Sequence, residues 1–216
     1  MSYFPFFIDI KNKKCLVIGG GTVACRKIEA LLEFEANITV IALKVCQEVK
    51  AMQDRIELLL REYRDTDLDN AFFVIAATND TRLNSAISKA CLERNILINA
   101  VDEQENCSFL FPAYIKQGNI TIGITTSGSS PLLAGHIKRS LREAIPDYYE
   151  ELVNILGGYR KWIKERIGDT GKRSKALREL TELGIHKQGL ITAEDVERII
   201  DRQAVLGREA NLEENH

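Results

Sequence analysis

The chain has 216 residues, 45% of them hydrophobic and 28% charged, ordinary values for a globular protein that exclude a disordered or collagen-like polymer. Lys and Arg number 29 against 31 Asp and Glu, a formal net charge of −2, so no global positive field marks a nucleic-acid coat or a membrane-surface protein. The length suits one full domain plus a smaller element. Five cysteines (Cys15, Cys25, Cys46, Cys91, Cys107) are odd in number and none lies within three residues of another, which argues against a disulfide framework or a CxxC site and fits a reduced cytosol. The N-terminal MSYFPFFIDIKNKK has no basic stretch ahead of a long apolar run, so neither a signal peptide nor a membrane span is expected, and the expected location is cytoplasmic.

Cys15-Leu16-Val17-Ile18 is a short apolar run ending in Gly19-Gly20-Gly21, followed by a helical pattern with Val23, Ile28, Leu31 and Leu32 on one side. This predicts strand, tight turn, helix. Ile38–Ile41 and Phe72–Thr78 predict a second and a third strand. A helical stretch through Leu83, Ile87, Ala90 and Cys91 leads to a fourth strand at Ile96–Val101. Continuous apolar strands alternating with helices imply a parallel sheet covered on both faces, a doubly wound α/β domain to about residue 112. Ile120–Thr126 alternates with period two, and Ser130-Pro131 opens a helix with Leu132, Leu133, Ile137 and Leu141 as its apolar side. From Tyr148 onward the pattern is helical, with breaks predicted near Gly157-Gly158, Gly168–Gly171 and Gly184–Gly189, a weak capping box at Thr192–Asp195, and a frayed last dozen residues.

Gly19-Gly20-Gly21-Thr22-Val23-Ala24 reads GxGxxA between the first strand and the first helix. The first glycine suits the turn, the second lets backbone approach a pyrophosphate, and Ala24 lets the helix pack close. A tight turn that binds nothing is the plainer alternative. About 20 residues on, where an acid commonly holds the adenosine ribose, stands Val40-Ile41-Ala42-Leu43-Lys44. Backbone around Leu43 and Lys44 is left for that contact, and NAD and NADP both remain open on spacing. Ala76, Ala77 and Thr78 put small residues at the carboxyl edge of the third strand, where a cofactor or ordinary close packing accounts for them equally. Asp102 follows the fourth strand at the same edge and is the candidate general acid or base, with a turn-former as its alternative. Of His136, His186 and His216, none has metal-ligand spacing with another His or Cys, so no preformed metal site is expected.

VIGGGTVACRK, VIAATND, INAVDEQENCSFLFPA and TTSGSSPLLAGHIK occur in the order and at the spacings of the siroheme-synthase N-terminal family, which this chain resembles closely over residues 1–150. That family comprises precorrin-2 dehydrogenases, some also sirohydrochlorin ferrochelatases. The resemblance implies NAD as cofactor, with dinucleotide contacts at Thr22, Val23, Leu43 and Lys44, which join Gly19, Gly20, Gly21, Ala76, Ala77 and Thr78 as the candidate cofactor-binding residues, and Asp102 as the essential catalytic residue. It implies a homodimer with an exchanged central segment. The implied architecture is a Rossmann-like parallel-sheet domain over residues 1–112, a small α+β dimerisation segment over 113–146, and a helical domain over 147–216. The substrate, precorrin-2, carries eight carboxylates, for which Thr126, Ser127, Ser129, His136 and Arg139 are the candidate donors. Lys138, Arg139 and Arg142 share one helix face, and a basic stretch runs from Arg160 to Arg178. No nucleic acid or membrane partner is expected. Metal insertion remains a sub-question, and a non-catalytic NAD(H)-sensing regulatory module is the alternative function.

Overall fold

The computed structural model describes residues 3–213, with side chains described as far as Gln203. Two compact units emerge, one made of the chain up to Pro112 together with Thr125–Pro131, the other of Ala113–Ile124 together with the chain from Leu132 onward.

In the first unit the elements are β1 (Lys14–Ile18), α1 (Thr22–Glu33), β2 (Asn37–Ile41), α2 (Gln47–Ala51), β3 (Glu57–Leu59), β4 (Phe73–Ala76), α3 (Thr81–Glu93) and β5 (Leu97–Ala100). All strand pairs are parallel, in the order β3-β2-β1-β4-β5. Side-chain alternation along each strand feeds two cores. Cys15, Val17, Val40, Phe73 and Ile75 pack with Ala24, Cys25, Ile28 and Leu31 of α1. Leu16, Ile18, Ile41, Val74 and Ile98 pack with Ile87 and Cys91 of α3. Asp80 caps α3, its carboxylate accepting from the Arg82 and Leu83 amides at 2.9 and 3.2 Å, which satisfies two of the orphan donors of the first turn. The sequence pattern does not predict α2 and β3. They are five and three residues long, too short for either periodicity to register, and β3 is an edge strand whose Glu57 carboxylate accepts from the Thr39 hydroxyl at 2.7 Å.

The second unit contains a hairpin of β6 (Ala113–Gln117) and β7 (Ile120–Ile124), the former not foreseen, turning at Gly118 with φ 54°. Helices α4 (Pro131–Ala144), α5 (Tyr149–Arg166), α6 (Thr170–His186) and α7 (Ala193–Glu213) follow. The predicted break at Gly157-Gly158 is absent: α5 runs through it. Two glycines cost a helix about 0.5–1 kcal/mol each, and α5 is anchored on either side of them by buried Leu152 and Ile163. The glycines at 171 and 184 also lie inside α6, whose ends fall at Asp169, the N-cap, and at Lys187. The backbone of α7 continues to Glu213, into the tail for which fraying is predicted, and residues 214–216 lie outside the described residues. No helix among the described residues is long and apolar enough to cross a membrane.

The capping box at Thr192–Asp195 is formed. The Thr192 amide donates to Asp195 Oδ2 at 3.1 Å and the Asp195 amide donates to Thr192 Oγ1 at 3.2 Å. Lys187 Nζ, at 2.6 Å, and Arg198, at 2.8 Å, also donate to the Asp195 carboxylate. The Lys187 hydrogen bond, with the Thr192 amide, brings the Asp195 carboxyl down to about 2. Its folded-state value lies below that of the unfolded chain, so the stabilisation is complete above the ordinary carboxylate range and is lost as pH falls toward 2. Asp195→Asn therefore lowers the thermal midpoint of the helical unit at pH 7, and the deficit shrinks as the pH approaches 2. Equal midpoints of mutant and parent at pH 7 in scanning calorimetry would contradict this assignment.

Candidate functional site

Strands β1 and β4 are neighbours, yet the chain leaves β1 toward β2 and leaves β4 toward β5 on the other side. Connections that diverge in this way open a crevice beyond the carboxyl ends of the two strands, here outside Ile18 and Ala76. The glycine turn fills one lip of it, and each glycine is there for a different reason. Gly19 adopts φ 122°, and a Cβ on it would lie 2.2 Å from the Ala77 carbonyl oxygen, so no side chain fits. A Cβ on Gly20 would lie 2.5 Å from the Lys44 carbonyl oxygen, and the Gly20 carbonyl accepts from the Cys46 amide at 2.8 Å. A Cβ on Gly21 would meet nothing within 4 Å.

Gly21 is also the N-cap of α1, and no side chain caps this helix or places an acid in its first turn. Thr22 and Val23 are exposed, while Ala24 is fully buried against the sheet. The first amides of a helix have no intrahelical acceptor and carry the positive end of its dipole. An uncapped helix end behind a bare glycine fits a pyrophosphate in size and charge. At the end of β2, Leu43 and Lys44 are both exposed, and the stretch Val40–Lys44 supplies no carboxylate for a ribose.

Across the crevice, the Ala77 amide donates to the Ile18 carbonyl at 2.7 Å, tying the end of β4 to β1. Thr78 is clamped by Asn84. The Thr78 hydroxyl and amide donate to Asn84 Oδ1 at 2.7 and 3.2 Å, and Asn84 Nδ2 donates back to the Thr78 carbonyl at 3.1 Å. No sequence motif marks Asn84, although a buried amide among Leu83, Ile87 and Cys91 on the apolar side of α3 is a readable signal.

Asp102 lies just past β5, exposed and in the left-handed conformation with φ 62°, a region that Asp tolerates better than most residues. The preceding Val101 amide donates to the Ala76 carbonyl at 2.9 Å, which holds the start of this turn against β4. Two strand spacings separate β5 from β1, so the Asp102 edge lies about 10 Å along the crevice from the glycine turn. That is a suitable span for one dinucleotide to reach from one to the other.

The loop Thr125–Pro131 belongs to the same unit and is fastened to the turn after Asp102. Gln104 Nε2 donates to the Ser127 carbonyl at 2.9 Å, and Gly128, with φ 79°, lies against the Gln104 amide. Ser127 and Ser129 line an open cleft of ≈ 340 Å³ with Tyr3, Gln104 and Glu105. The Thr126 hydroxyl is instead turned to the Ser130 backbone, donating to its carbonyl at 3.0 Å and accepting from its amide at 3.1 Å. His136 and Arg139, both exposed on α4, belong to the second unit. Within that unit Lys138 lies over the Tyr114 ring at 5.2 Å and Arg142 donates to Gln117 at 2.9 Å. Two of the three cations expected on one helix face are therefore engaged with the hairpin.

Lys27 on α1 is half-buried with its ammonium 3.9 Å from the centre of the Phe111 ring, and burial lowers its pKa to about 8. The folded protein thus disfavours the charged form. The penalty is complete below pH 8 and is relieved as pH rises from 8 toward the unfolded value near 10.5. Lys27→Met is expected to stabilise the protein at pH 7 by about 1 kcal/mol, or ~2–4 °C. Thermal melts at pH 7 and pH 9.5 check this, and a gain that grows with pH would refute it.

The family described as "Putative NAD(P)-binding" matches residues 6–113. A siroheme synthase of Thioalkalivibrio sulfidiphilus is 38% identical over 200 residues, 92% of this chain and 41% of that protein. A siroheme synthase of Pseudoalteromonas translucida is 38% identical over 168 residues, 77% of this chain and 36% of that protein. The chain thus spans well under half the length of these relatives. The solved structure of SirC, precorrin-2 dehydrogenase, superposes with a TM-score of 0.75 at 25% identity, covering 93% of this chain and 98% of that one. With half of its length matched by the NAD(P)-binding family and its sequence and fold following those of siroheme synthases and SirC, the chain belongs to the siroheme-synthase N-terminal family.

Proposed function

We propose that the protein is an NAD-dependent precorrin-2 dehydrogenase of siroheme biosynthesis, working in the cytoplasm as a homodimer. The observation that carries this reading is the likeness to SirC, precorrin-2 dehydrogenase, over nearly the whole of both chains. The open glycine cradle at an uncapped helix end supports it independently.

When bound, NAD supplies the hydride acceptor. In this reading the amides of Gly21, Thr22 and Val23 hold the pyrophosphate, and Gly19 and Gly20 shape the turn. Backbone around Leu43 and Lys44 receives the adenosine ribose; Ala76, Ala77 and Thr78 leave room for the dinucleotide at the β4 edge. Oxidation of precorrin-2 to sirohydrochlorin removes two hydrogens, one as a hydride to the nicotinamide and one as a proton. Asp102, exposed at the β5 edge, orients the macrocycle and accepts a proton from it. Ser127 and Ser129 donate to the carboxylates of the substrate, and the Thr126 hydroxyl shapes their loop.

Anaerobic incubation of purified protein with precorrin-2 and NAD tests the reading. Sirohydrochlorin and NADH are expected in equal amounts, and Fe²⁺ or Co²⁺ added afterwards shows whether metal insertion follows. Tight NAD binding without any oxidation would sink the dehydrogenase reading in favour of a nucleotide-sensing module.

A further inference from the structure

The turn that carries Asp102 is braced by a hydrogen-bond cluster that its catalytic role does not require. Glu103 Oε2 accepts from the Ser85 hydroxyl at 2.6 Å and from Asn106 Nδ2 at 2.5 Å, and that amide also reaches the Ser85 hydroxyl at 3.3 Å. One helical turn further along α3, the Ser88 hydroxyl donates to the Asn106 carbonyl, and Ser88 is only 1% exposed. The Asn106 amide closes the loop onto the Glu103 carbonyl at 3.0 Å. On the other side the Cys107 thiol group accepts from the Ala100 amide at 3.2 Å and lies 3.3 Å from the Glu103 carbonyl oxygen, binding the loop back to the end of β5. The second carboxylate oxygen of Glu103, Oε1, is buried without any partner. A carboxylate kept in a half-buried place where one of its oxygens has no donor is a costly choice for a simple loop brace. The residue it immediately follows is Asp102, held at φ 62°.

The geometry points to Glu103 as a positioning residue: through Ser85 and Asn106 it fastens the loop to α3, fixes the left-handed turn at Asp102, and so sets the direction in which the Asp102 carboxylate meets the substrate. This rests on the reading of Asp102 as the group that acts on the macrocycle. Glu103 itself touches no reacting atom. A carboxylate displaced by even 1 Å loses much of its effectiveness, so releasing the strut lowers turnover while leaving the distant glycine cradle intact.

The test uses the full chain with Glu103→Ala, Glu103→Gln and Ser85→Ala. Glu103→Ala is expected to lower kcat about 30-fold with the KM for NAD changed less than about twofold, and to speed amide hydrogen exchange over residues 101–107. Glu103→Gln keeps a carbonyl oxygen that accepts from Ser85 and Asn106, and is expected to restore kcat to within about threefold of the parent and to restore exchange protection. Ser85→Ala, which removes one donor only, gives an intermediate loss and decides the matter should Glu103→Ala fail to fold. Unchanged kcat in Glu103→Ala and Ser85→Ala, unchanged exchange, or a loss that glutamine does not repair would each overturn the proposal. If the parent itself fails to oxidise precorrin-2, the dehydrogenase reading falls, and the exchange comparison still decides whether Glu103 holds the turn.

Discussion

Gly21→Val is expected to weaken dinucleotide binding severely while the fold stays intact. At φ −82° and ψ −175° the residue is in extended backbone open to any L-amino acid, and a Cβ placed there meets nothing within 4 Å. The backbone and the first side-chain atom of the valine are therefore accommodated. The new isopropyl group occupies the space from which the helix amides reach a pyrophosphate, and a steric block of this kind is expected to weaken NAD at least ~100-fold, about 2.7 kcal/mol. Titration calorimetry with NAD measures it, and the circular dichroism melt supplies the control. Gly19→Ala makes the opposite case. Its φ of 122° and the 2.2 Å approach to the Ala77 carbonyl put strain into the folded chain before any ligand arrives, so that variant loses stability. If Gly21→Val bound NAD as tightly as the parent, the cofactor would lie elsewhere.

Asp102→Asn is expected to keep NAD affinity and lose turnover by about 10²–10⁴-fold, the usual range for removing a general acid or base. Asparagine is the informative substitution because it accepts the left-handed conformation that Asp102 adopts at φ 62°, whereas alanine confounds loss of the carboxylate with backbone strain. A steady-state assay that separates kcat from the KM for NAD reads the result. Full turnover in the asparagine variant would remove the carboxylate from the chemistry and leave the turn with a purely structural purpose.

The parallel sheet was readable because its strands are buried on both faces: Leu16-Val17-Ile18, Val40-Ile41 and Val74-Ile75-Ala76 are unbroken apolar runs that no surface segment would carry. The glycine turn is readable because two of its three glycines are demanded by geometry, at Ala77 and Lys44, although the fold itself demands no glycine at the third. Other features left no such trace. β3 makes only three ladder pairs at the sheet edge, and β6 is legible mainly through its pairing with β7. At Gly157-Gly158 the sequence misleads, since tertiary anchoring of α5 at Leu152 and Ile163 outweighs two unfavourable propensities. At the site, the edge positions of Asp102 and Thr78 follow from strand ends, but the partners that hold them, Asn84 for one and Glu103 with Ser85 for the other, lie on α3 or beside it. Their contacts exist only once the helix docks.

The most direct measurement is a crystal structure of the protein with NAD bound. The diphosphate is expected within hydrogen-bonding distance of the Thr22 and Val23 amides at Gly21, and the nicotinamide ring at the β5 edge on the side of Asp102. A dinucleotide bound anywhere other than the crevice between β1 and β4, or with its nicotinamide directed toward β3, would contradict it.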